Sequence, residues 1–307
     1  MTASYINLQR SGELKIRADE ASALLANCAV CPHRCNVNRL AGELGKCCTG
    51  ARAIIASYGP HFGEEPPLVA SGGSGTIFFT NCNLACVYCQ NYAISQQVQG
   101  DEANADKLAT IMLYLQAKGC GNINLVSPTH VVPQILEALV IAADKGLTVP
   151  LVYNSGGYDS VETLKLLDGV VNIYMPDMKY GDEATAKRLS GIDDYPDTNR
   201  LAIKEMHRQV GDLIVDDGIT TRGLLVRHLV LPNGLAGSQS VLRFIAEQIS
   251  ANTYVNIMDQ YRPEYKAYDD PDLARPLHMQ EFNDALEMAK RSGIARIARP
   301  EPRLRLI

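Results

Sequence analysis

The sequence lacks long apolar runs, clusters of basic residues and an apolar N-terminal segment. None of its 307 residues lies in an uncharged apolar stretch near the roughly 20 residues of a membrane span, so we expect no membrane association. Residues 1–27 mix Arg, Lys, Asp and Glu, which argues against a signal peptide. Acidic residues (34) outnumber basic ones (29), giving a net charge of −5, and this argues against nucleic acid as an obligatory partner. We expect a cytosolic protein that acts on a small molecule or another protein.

Cysteine, in contrast, is abundant. In a cytosolic chain its nine cysteines indicate metal or redox chemistry rather than disulfides. They form a central group of three, an earlier group of four and two others: Cys82, Cys86 and Cys89; Cys28, Cys31, Cys35 and Cys47; Cys48 and Cys120. Disulfide pairing would leave one cysteine over, whereas two metal sites account for seven.

The central group directly follows an apolar segment, residues 76–80, that is typical of a buried strand. Its spacing, C-x3-C-x2-C, lets Cys82, Cys86 and Cys89 converge on one small object. A [4Fe–4S] cube fits because cysteine thiolates are its usual ligands, and three sulfurs leave its fourth iron open to a ligand that is not protein. A structural zinc site is the alternative, but zinc usually takes four Cys or His ligands and no fourth lies near.

The earlier group has the spacing C-x2-C-x3-C-x11-C among glycines and a proline. We call residues 28–48 the N-terminal knuckle. A module this short has little core of its own, so we expect Cys28, Cys31, Cys35 and Cys47 to bind a stabilising metal. The spacing does not decide whether this metal is zinc or a second iron–sulfur cluster. We favour a structural role over electron transfer, and we expect His33 to be no ligand.

From residue 76 onward strands alternate with amphipathic helices, which indicates a parallel sheet. The predicted strands are 76–80, 122–126, 149–153, 171–175, 224–231 and 254–258. Six such units are too few to close an eight-stranded barrel, so the predicted fold is α/β, an open partial (β/α)6 barrel with a cysteine-rich knuckle. Asp217-Gly218 predicts a hairpin before the fifth strand. Residues 54–75, rich in Gly and Pro, read as a flexible turn across the barrel mouth.

The predicted domains are residues 1–53, a helix and the knuckle; 54–262, the barrel; and 263–307, a helical extension. Ligands of such sheets bind at the carboxyl ends of the strands. Polar side chains occur at the ends of all five later strands: Ser127, Thr129 and His130; Asn154 and Ser155; Asp177 and Lys179; Arg227; Asp259 and Gln260. Together they predict a ligand site.

The cysteine loop, with Tyr88 before its last cysteine and Asn91 after it, resembles that of the radical S-adenosylmethionine (SAM) superfamily. Over residues 28–262 the chain is most similar to the group related to pyruvate formate-lyase-activating enzyme. The resemblance implies a [4Fe–4S] cluster on Cys82, Cys86 and Cys89 whose open iron chelates SAM. It also implies reductive cleavage of SAM to methionine and a 5′-deoxyadenosyl radical that abstracts hydrogen.

The resemblance also implies roles for other residues. Tyr88 and Asn91 would contact the adenosyl group, and Asp177, Lys179 and Arg227 the methionyl and ribose portions. Ser127, Thr129 and Gln260, at strand ends, are further expected cofactor contacts. Asn154, Ser155, Met175 and Asp177 correspond to a monovalent-cation site beside the SAM carboxylate.

We expect a protein or peptide substrate, as in glycyl-radical activation, and a flavodoxin- or ferredoxin-type reductant. Radical modification of a small molecule is a second hypothesis. The third is a non-catalytic metal-binding or assembly factor that uses both cysteine groups structurally.

Overall fold

A computed structural model describes residues 3–298, in which one 10-stranded sheet carries the fold. Its strands are β1 (Ala53–His61), β2 (Ser74–Phe79), β3 (Asp101–Ala103), β4 (Ile123–Val126), β5 (Leu151–Asn154), β6 (Ile173–Tyr174), β7 (Ile214–Asp216), β8 (Ile219–Leu229), β9 (Tyr254–Met258) and β10 (Arg296–Ile297). The order is β10-β9-β8-β6-β5-β4-β2-β1-β3, with β7 paired to β8. Within the described residues β3 and β10 are the two edges of the sheet and do not pair with each other, so the barrel is open.

The helices pack mainly on the outside of this sheet. They are α1 (Tyr5–Ser11), α2 (Glu13–Ala23), α3 (Tyr92–Ser95), α4 (Ala105–Ala117), α5 (Val132–Asp144), α6 (Val161–Leu166), α7 (Glu183–Ser190), α8 (Tyr195–Val210), α9 (Ser238–Phe244) and α10 (Met279–Arg291). A π-helical turn, Ile245–Ile249, continues α9. No helix of the described residues is long and apolar enough to cross a membrane.

Side-chain alternation along the strands separates an outer from an inner face. Outward residues such as Ile77, Leu125 and Val226 join the main apolar core with the helices. Inward residues such as Val152 and Ile173 form a smaller apolar cluster inside the barrel. The inner face is therefore available for a site.

The predicted open α/β barrel is confirmed. All six predicted strands are present and parallel, as β2, β4, β5, β6, β8 and β9. The hairpin at Asp217-Gly218 is present between β7 and β8. The Ser160 side chain accepts from Thr163 N–H and so caps the start of α6, and Pro133 lies in the first turn of α5.

Two local expectations were wrong. Residues 54–75 are not one flexible turn, because β1 fills their first part and pairs antiparallel with β2 and β3. The N-terminal helix is two helices, since Gly12 adopts φ 81° between α1 and α2.

The predicted domain boundaries stay predictions, and residues 1–2 and 299–307 of the two outer domains lie outside the described residues.

Residues 62–73, which follow β1, enter the barrel; we call them the plug segment. Leu68 is fully buried in the inner apolar cluster, and its carbonyl accepts from Asn122 Nδ2 at 2.8 Å. Gly72 approaches the next turn so closely that a Cβ there would lie 2.0 Å from the Gly119 carbonyl oxygen. The plug segment thus occupies the amino-terminal end of the barrel, opposite the strand ends expected to bind ligands.

Candidate cofactor site

The three central cysteines face one cavity at the carboxyl ends of the strands. This cavity has a volume of about 140 Å³. Its lining includes ten of the residues expected at the site: Cys82, Cys86, Cys89, Asn91, Ser127, Asn154, Ser155, Asp177, Lys179 and Arg227. Parallel strands bring these side chains together although they are far apart in the sequence.

Hydrogen bonds to two neighbouring segments hold the cysteine loop, residues 81–91. Asn83 Nδ2 donates to the Tyr158 carbonyl at 2.7 Å, and Val87 N–H donates to the Leu189 carbonyl at 2.9 Å. Asn81, with φ 71°, turns the chain out of β2. Such a rigidly held loop keeps its thiols in place for a shared ligand.

Each of the three sulfurs also has a polar neighbour. Ser190 Oγ donates to Cys86 Sγ at 3.0 Å, Leu84 N–H to Cys82 Sγ at 3.4 Å, and Ser95 Oγ lies 3.2 Å from Cys89 Sγ. Hydrogen bonds to cluster sulfurs help to set the reduction potential of iron–sulfur centres.

Burial keeps two of these thiols protonated in the absence of metal. Burial raises the pKa of Cys82 to about 12, and it also raises that of Cys86, although nearby Lys179 acts in the opposite direction. All three thiols are free of disulfides. Three free, converging sulfurs with polar neighbours form a donor set that fits a [4Fe–4S] cluster, whose binding would deprotonate them.

Beside the cysteines lies an ion network centred on Asp177. Its carboxylate is 2.6 Å from Lys179 Nζ and 2.9 Å from Arg227 Nη2, and all three side chains are mostly buried. Arg227 Nη2 also donates to Asn154 Oδ1 at 2.6 Å. Burial alone would raise the pKa of Asp177, but the two cations outweigh it and lower the pKa below its usual value.

This network bears on the expected monovalent cation. Two positive groups already lie within hydrogen-bond distance of Asp177, and Ser155 Oγ donates to Asp159 at 2.7 Å. The Met175 side chain belongs to the inner apolar cluster. The cation site stays a prediction.

Three expected contact residues lie outside the cavity lining. Tyr88 is buried and its hydroxyl donates to Tyr180 at 2.7 Å. Thr129 is buried and donates to Asp159 at 2.7 Å. Gln260 is exposed, and its carbonyl accepts from Gln90 Nε2 at 3.0 Å. Contacts of these three residues with a cofactor stay predictions.

Several residues that sequence reasoning missed support the site. Asp159 accepts hydrogen bonds from Thr129, Tyr153 and Ser155 and so holds the turn after β5. Gly156 lines the cavity, where a Cβ would lie 2.6 Å from Leu84 Cδ1. No local pattern marks Asp159, whereas the Gly156-Gly157 pair could have indicated a close backbone approach.

His130 supports the chain just before the cysteine loop. Burial lowers its pKa to about 4, so the imidazole is neutral at pH 7. Because its Nε2 lies 3.0 Å from the Thr80 carbonyl oxygen, Nε2 carries the proton. Arg39 of the knuckle donates to the His130 carbonyl at 2.9 Å, so it links the knuckle to the turn after β4.

The knuckle packs against the cysteine loop. His33 Nε2 is 2.8 Å from the Asn83 carbonyl oxygen, and Asn81 Nδ2 donates to the Cys48 carbonyl at 3.1 Å. His33 therefore contacts the loop backbone.

Among the cysteines of the knuckle, Cys28, Cys31 and Cys47 are buried, Cys35 is half-buried and Cys48 is exposed. Burial is the main cause that raises the pKa of Cys31 to about 12, and the thiols of Cys28, Cys35 and Cys47 add to it, which indicates that the four lie near one another. Within residues 3–298 no group of three or more His, Cys, Asp or Glu side chains could hold a single metal ion. The occupant of the knuckle, zinc or a cluster, stays a prediction.

Comparison with known proteins identifies the loop. The family profile of the Radical SAM superfamily matches residues 76–229, half of the chain, and this range contains the cysteine loop and Arg227. An uncharacterized protein of Methanocaldococcus jannaschii is 36% identical over 296 residues, covering 92% of this chain and 79% of that protein.

Three solved structures are similar at 13% sequence identity. A radical SAM methyltransferase from Sphaerobacter thermophilus has a TM-score of 0.48, covering 73% of this chain and 65% of that one. HydG, a maturase of the [FeFe]-hydrogenase, also scores 0.48, with 71% and 48% covered. Methylornithine synthase (PylB) scores 0.44, with 73% and 71% covered. At such scores the similarities carry no argument about the reaction.

Proposed function

Because the chain belongs to the radical SAM superfamily, whose enzymes use a [4Fe–4S] cluster and SAM, we propose that it activates a protein or peptide by abstracting hydrogen, as pyruvate formate-lyase-activating enzymes do. The observation that carries this proposal is the shared cavity of the cysteine loop and the Asp177 network. When bound, the cluster supplies the electron that cleaves SAM to methionine and a 5′-deoxyadenosyl radical.

Different residues of the chain would bind the cluster and SAM. Cys82, Cys86 and Cys89 would hold the cluster, and Ser190 would adjust its potential through Cys86. Lys179 and Arg227 present positive charge to the cavity, which suits the carboxylate and ribose oxygens of SAM. Asp177 fixes both cations, so that the scissile bond lines up with the cluster.

The size of the cavity supports a role for this network as a clamp. About 140 Å³ is less than the roughly 300 Å³ at the lower end of small-molecule sites. Lys179 and Arg227 both reach toward Asp177 and narrow the space between strand ends. Lys179 and Arg227 would donate their remaining N–H groups to SAM while Asp177 holds both side chains in place.

The open sheet supports a polypeptide substrate. Because β3 and β10 do not pair with each other in the described part of the chain, the inner face is reachable from the side. A loop of another protein enters such an opening more readily than a closed barrel. A flavodoxin- or ferredoxin-type protein would supply the electron, since the exposed Cys48 side of the knuckle leaves the cysteine loop close to the surface.

The test is a substrate-size experiment with the anaerobically reconstituted, reduced protein. A cell extract of the producing organism is divided by ultrafiltration, and 5′-deoxyadenosine is measured with each fraction. We expect the retained fraction to stimulate release and protease treatment to remove the stimulation. Stimulation by the filtrate alone would refute the polypeptide proposal and favour a small molecule.

A further inference from the structure

Two adjacent carboxylates of the plug segment lie inside the barrel. Asn124 Nδ2 of β4 donates to Glu64 at 2.6 Å, and Asn256 Nδ2 of β9 donates to Glu65 at 2.6 Å. Both asparagines are on the inner face, because Asn124 alternates with outward Leu125 and Asn256 with outward Val255. Glu65 is buried and Glu64 is half-buried, and both face the inner side of the sheet.

Neither carboxylate forms an ion pair within the described chain. Among residues 3–298 no Lys, Arg or His nitrogen lies within 4.0 Å of Glu64 or Glu65 in an ion pair, whereas Asp177 has two such partners. Arg227, the cation that acts electrostatically on both glutamates, donates instead to Asp177 and Asn154. Within the described chain, Glu64, Glu65 and Asp177 thus act on only two nearby cations, Lys179 and Arg227.

An unused acceptor lies beside Glu64. Asn124 is fully buried, and its Oδ1 has no hydrogen-bond partner within the described chain. Leaving a buried acceptor unpaired is energetically unfavourable, so such an atom indicates a partner that the isolated chain does not supply.

The register places this acceptor just beneath the cofactor cavity. Val126 and Asn154 line the cavity and are paired across β4 and β5. Asn124 precedes Val126 by two residues on the same face, a rise of roughly 7 Å. On the other side Asn256 pairs with Arg227, also of the lining. Glu64, Glu65 and Asn124 thus form a polar floor under the cavity.

The surroundings of Glu65 indicate that its carboxylate binds a ligand rather than stabilises the fold. Burial raises its pKa, and the hydrogen bond from Asn256 and the charge of Arg227 do not compensate. The other groups acting on it, Glu64 and Asp177, are negative. A buried carboxylate without a cation destabilises the fold at neutral pH, which is typical of a binding residue.

We propose that Glu64, Glu65 and the Oδ1 atom of Asn124 bind a positively charged amine or guanidinium group of the substrate beneath SAM. That the bound cation belongs to the substrate rests on the proposed function; the binding of a cation here does not. An ammonium or guanidinium donates several hydrogen bonds and supplies the missing positive charge. The group could belong to a Lys or Arg side chain of a polypeptide or to a free amine.

The test measures binding of defined probes to the reconstituted holoenzyme by saturation-transfer NMR. The cationic probe is N-acetyl-lysine methylamide, the neutral one N-acetyl-norleucine methylamide, and the free amine is n-butylamine. We expect the lysine derivative to bind at least about tenfold more tightly than the norleucine derivative, with and without saturating SAM. Tighter binding of n-butylamine would identify a free amine as the source of the cation and still support the site.

Two variants make the test specific. Glu64→Gln keeps an acceptor for Asn124 but removes the charge, so it should lose the preference for the cationic probe. Glu65→Gln should also weaken that preference and raise the thermal midpoint at pH 8, since it removes a buried charge. The matched control Glu102→Gln alters an exposed carboxylate on β3, 3.4 Å from Arg52, and should change neither property.

The contrary results are equally definite. Equal binding of the neutral probe, no effect of Glu64→Gln, or displacement of the lysine probe by SAM would overturn the site. A lower midpoint for Glu65→Gln would show that the carboxylate serves the fold instead. SAM cleavage by the parent protein is measured separately, so a failure there would count against the proposed function and leave probe binding interpretable.

Discussion

Replacing Asp177 by Ala should affect both stability and activity, because its carboxylate holds two mostly buried cations. Lys179 Nζ lies 2.6 Å from it and Arg227 Nη2 2.9 Å, with 15% of the Asp177 side chain exposed. Breaking a buried pair by removing one partner costs about 3–5 kcal/mol. Since these side chains retain some solvent, we take the lower end, ~3 kcal/mol, or roughly 6 °C in thermal midpoint.

The effect on activity follows from geometry. Without Asp177, Lys179 and Arg227 lose their common anchor, and a reacting group misplaced by ~1 Å can cost about a hundredfold in rate. We therefore expect Asp177→Ala to keep its iron, bind SAM poorly and release 5′-deoxyadenosine about a hundredfold more slowly. Chromatography of 5′-deoxyadenosine and iron determination, well below the thermal midpoint, measure both.

The matched control is Asp168→Ala, which removes a carboxylate 2.6 Å from Arg208 on the surface. Exposed pairs contribute only about 0–1 kcal/mol, so this variant should behave like the parent. Normal 5′-deoxyadenosine release with normal iron in Asp177→Ala would refute the assigned role of the network.

Two further predictions concern the support of the site. Burial lowers the pKa of His130 to about 4 in the folded chain, whereas in the unfolded chain its pKa stays near the ordinary value of 6.5. Between pH 6.5 and 4 the unfolded chain therefore binds a proton at His130 that the folded chain does not bind. Stability should fall by roughly 3 kcal/mol as the pH drops from about 6.5 to 4, and His130→Gln should flatten this part of the curve measured by urea unfolding. Cys31→Ala should lower stability if the knuckle binds a structural metal, because a site missing one ligand no longer stabilises its loop, while SAM cleavage per folded molecule stays near that of the parent. Selective loss of turnover in stable Cys31→Ala protein would indicate an auxiliary redox cluster instead.

Local sequence patterns predicted much of this fold. The alternation of strands and helices along the sequence predicted the six parallel strands, because such alternation is typical of a parallel sheet. The rule that ligands bind at the carboxyl ends of parallel strands predicted from the sequence that Asn154, Asp177 and Arg227 share one site.

The interior of the barrel could not be predicted in the same way. The plug segment is rich in Gly and Pro, a composition typical of exposed turns, and its placement depends on hydrogen bonds from Asn122, Asn124 and Asn256. Those partners are as many as 191 residues away in sequence. The bond from Ser190 to Cys86 likewise joins residues 104 positions apart. No local pattern specifies such contacts.

The most direct test of the central claim is to change Cys82, Cys86 and Cys89 together to Ala. The anaerobically reconstituted parent, reduced by dithionite, should show a [4Fe–4S] electron paramagnetic resonance spectrum that changes when SAM is added. The triple variant should lose that signal, while any metal bound by the knuckle remains. Unchanged iron content and an unchanged SAM-dependent spectrum in the triple variant would contradict the account.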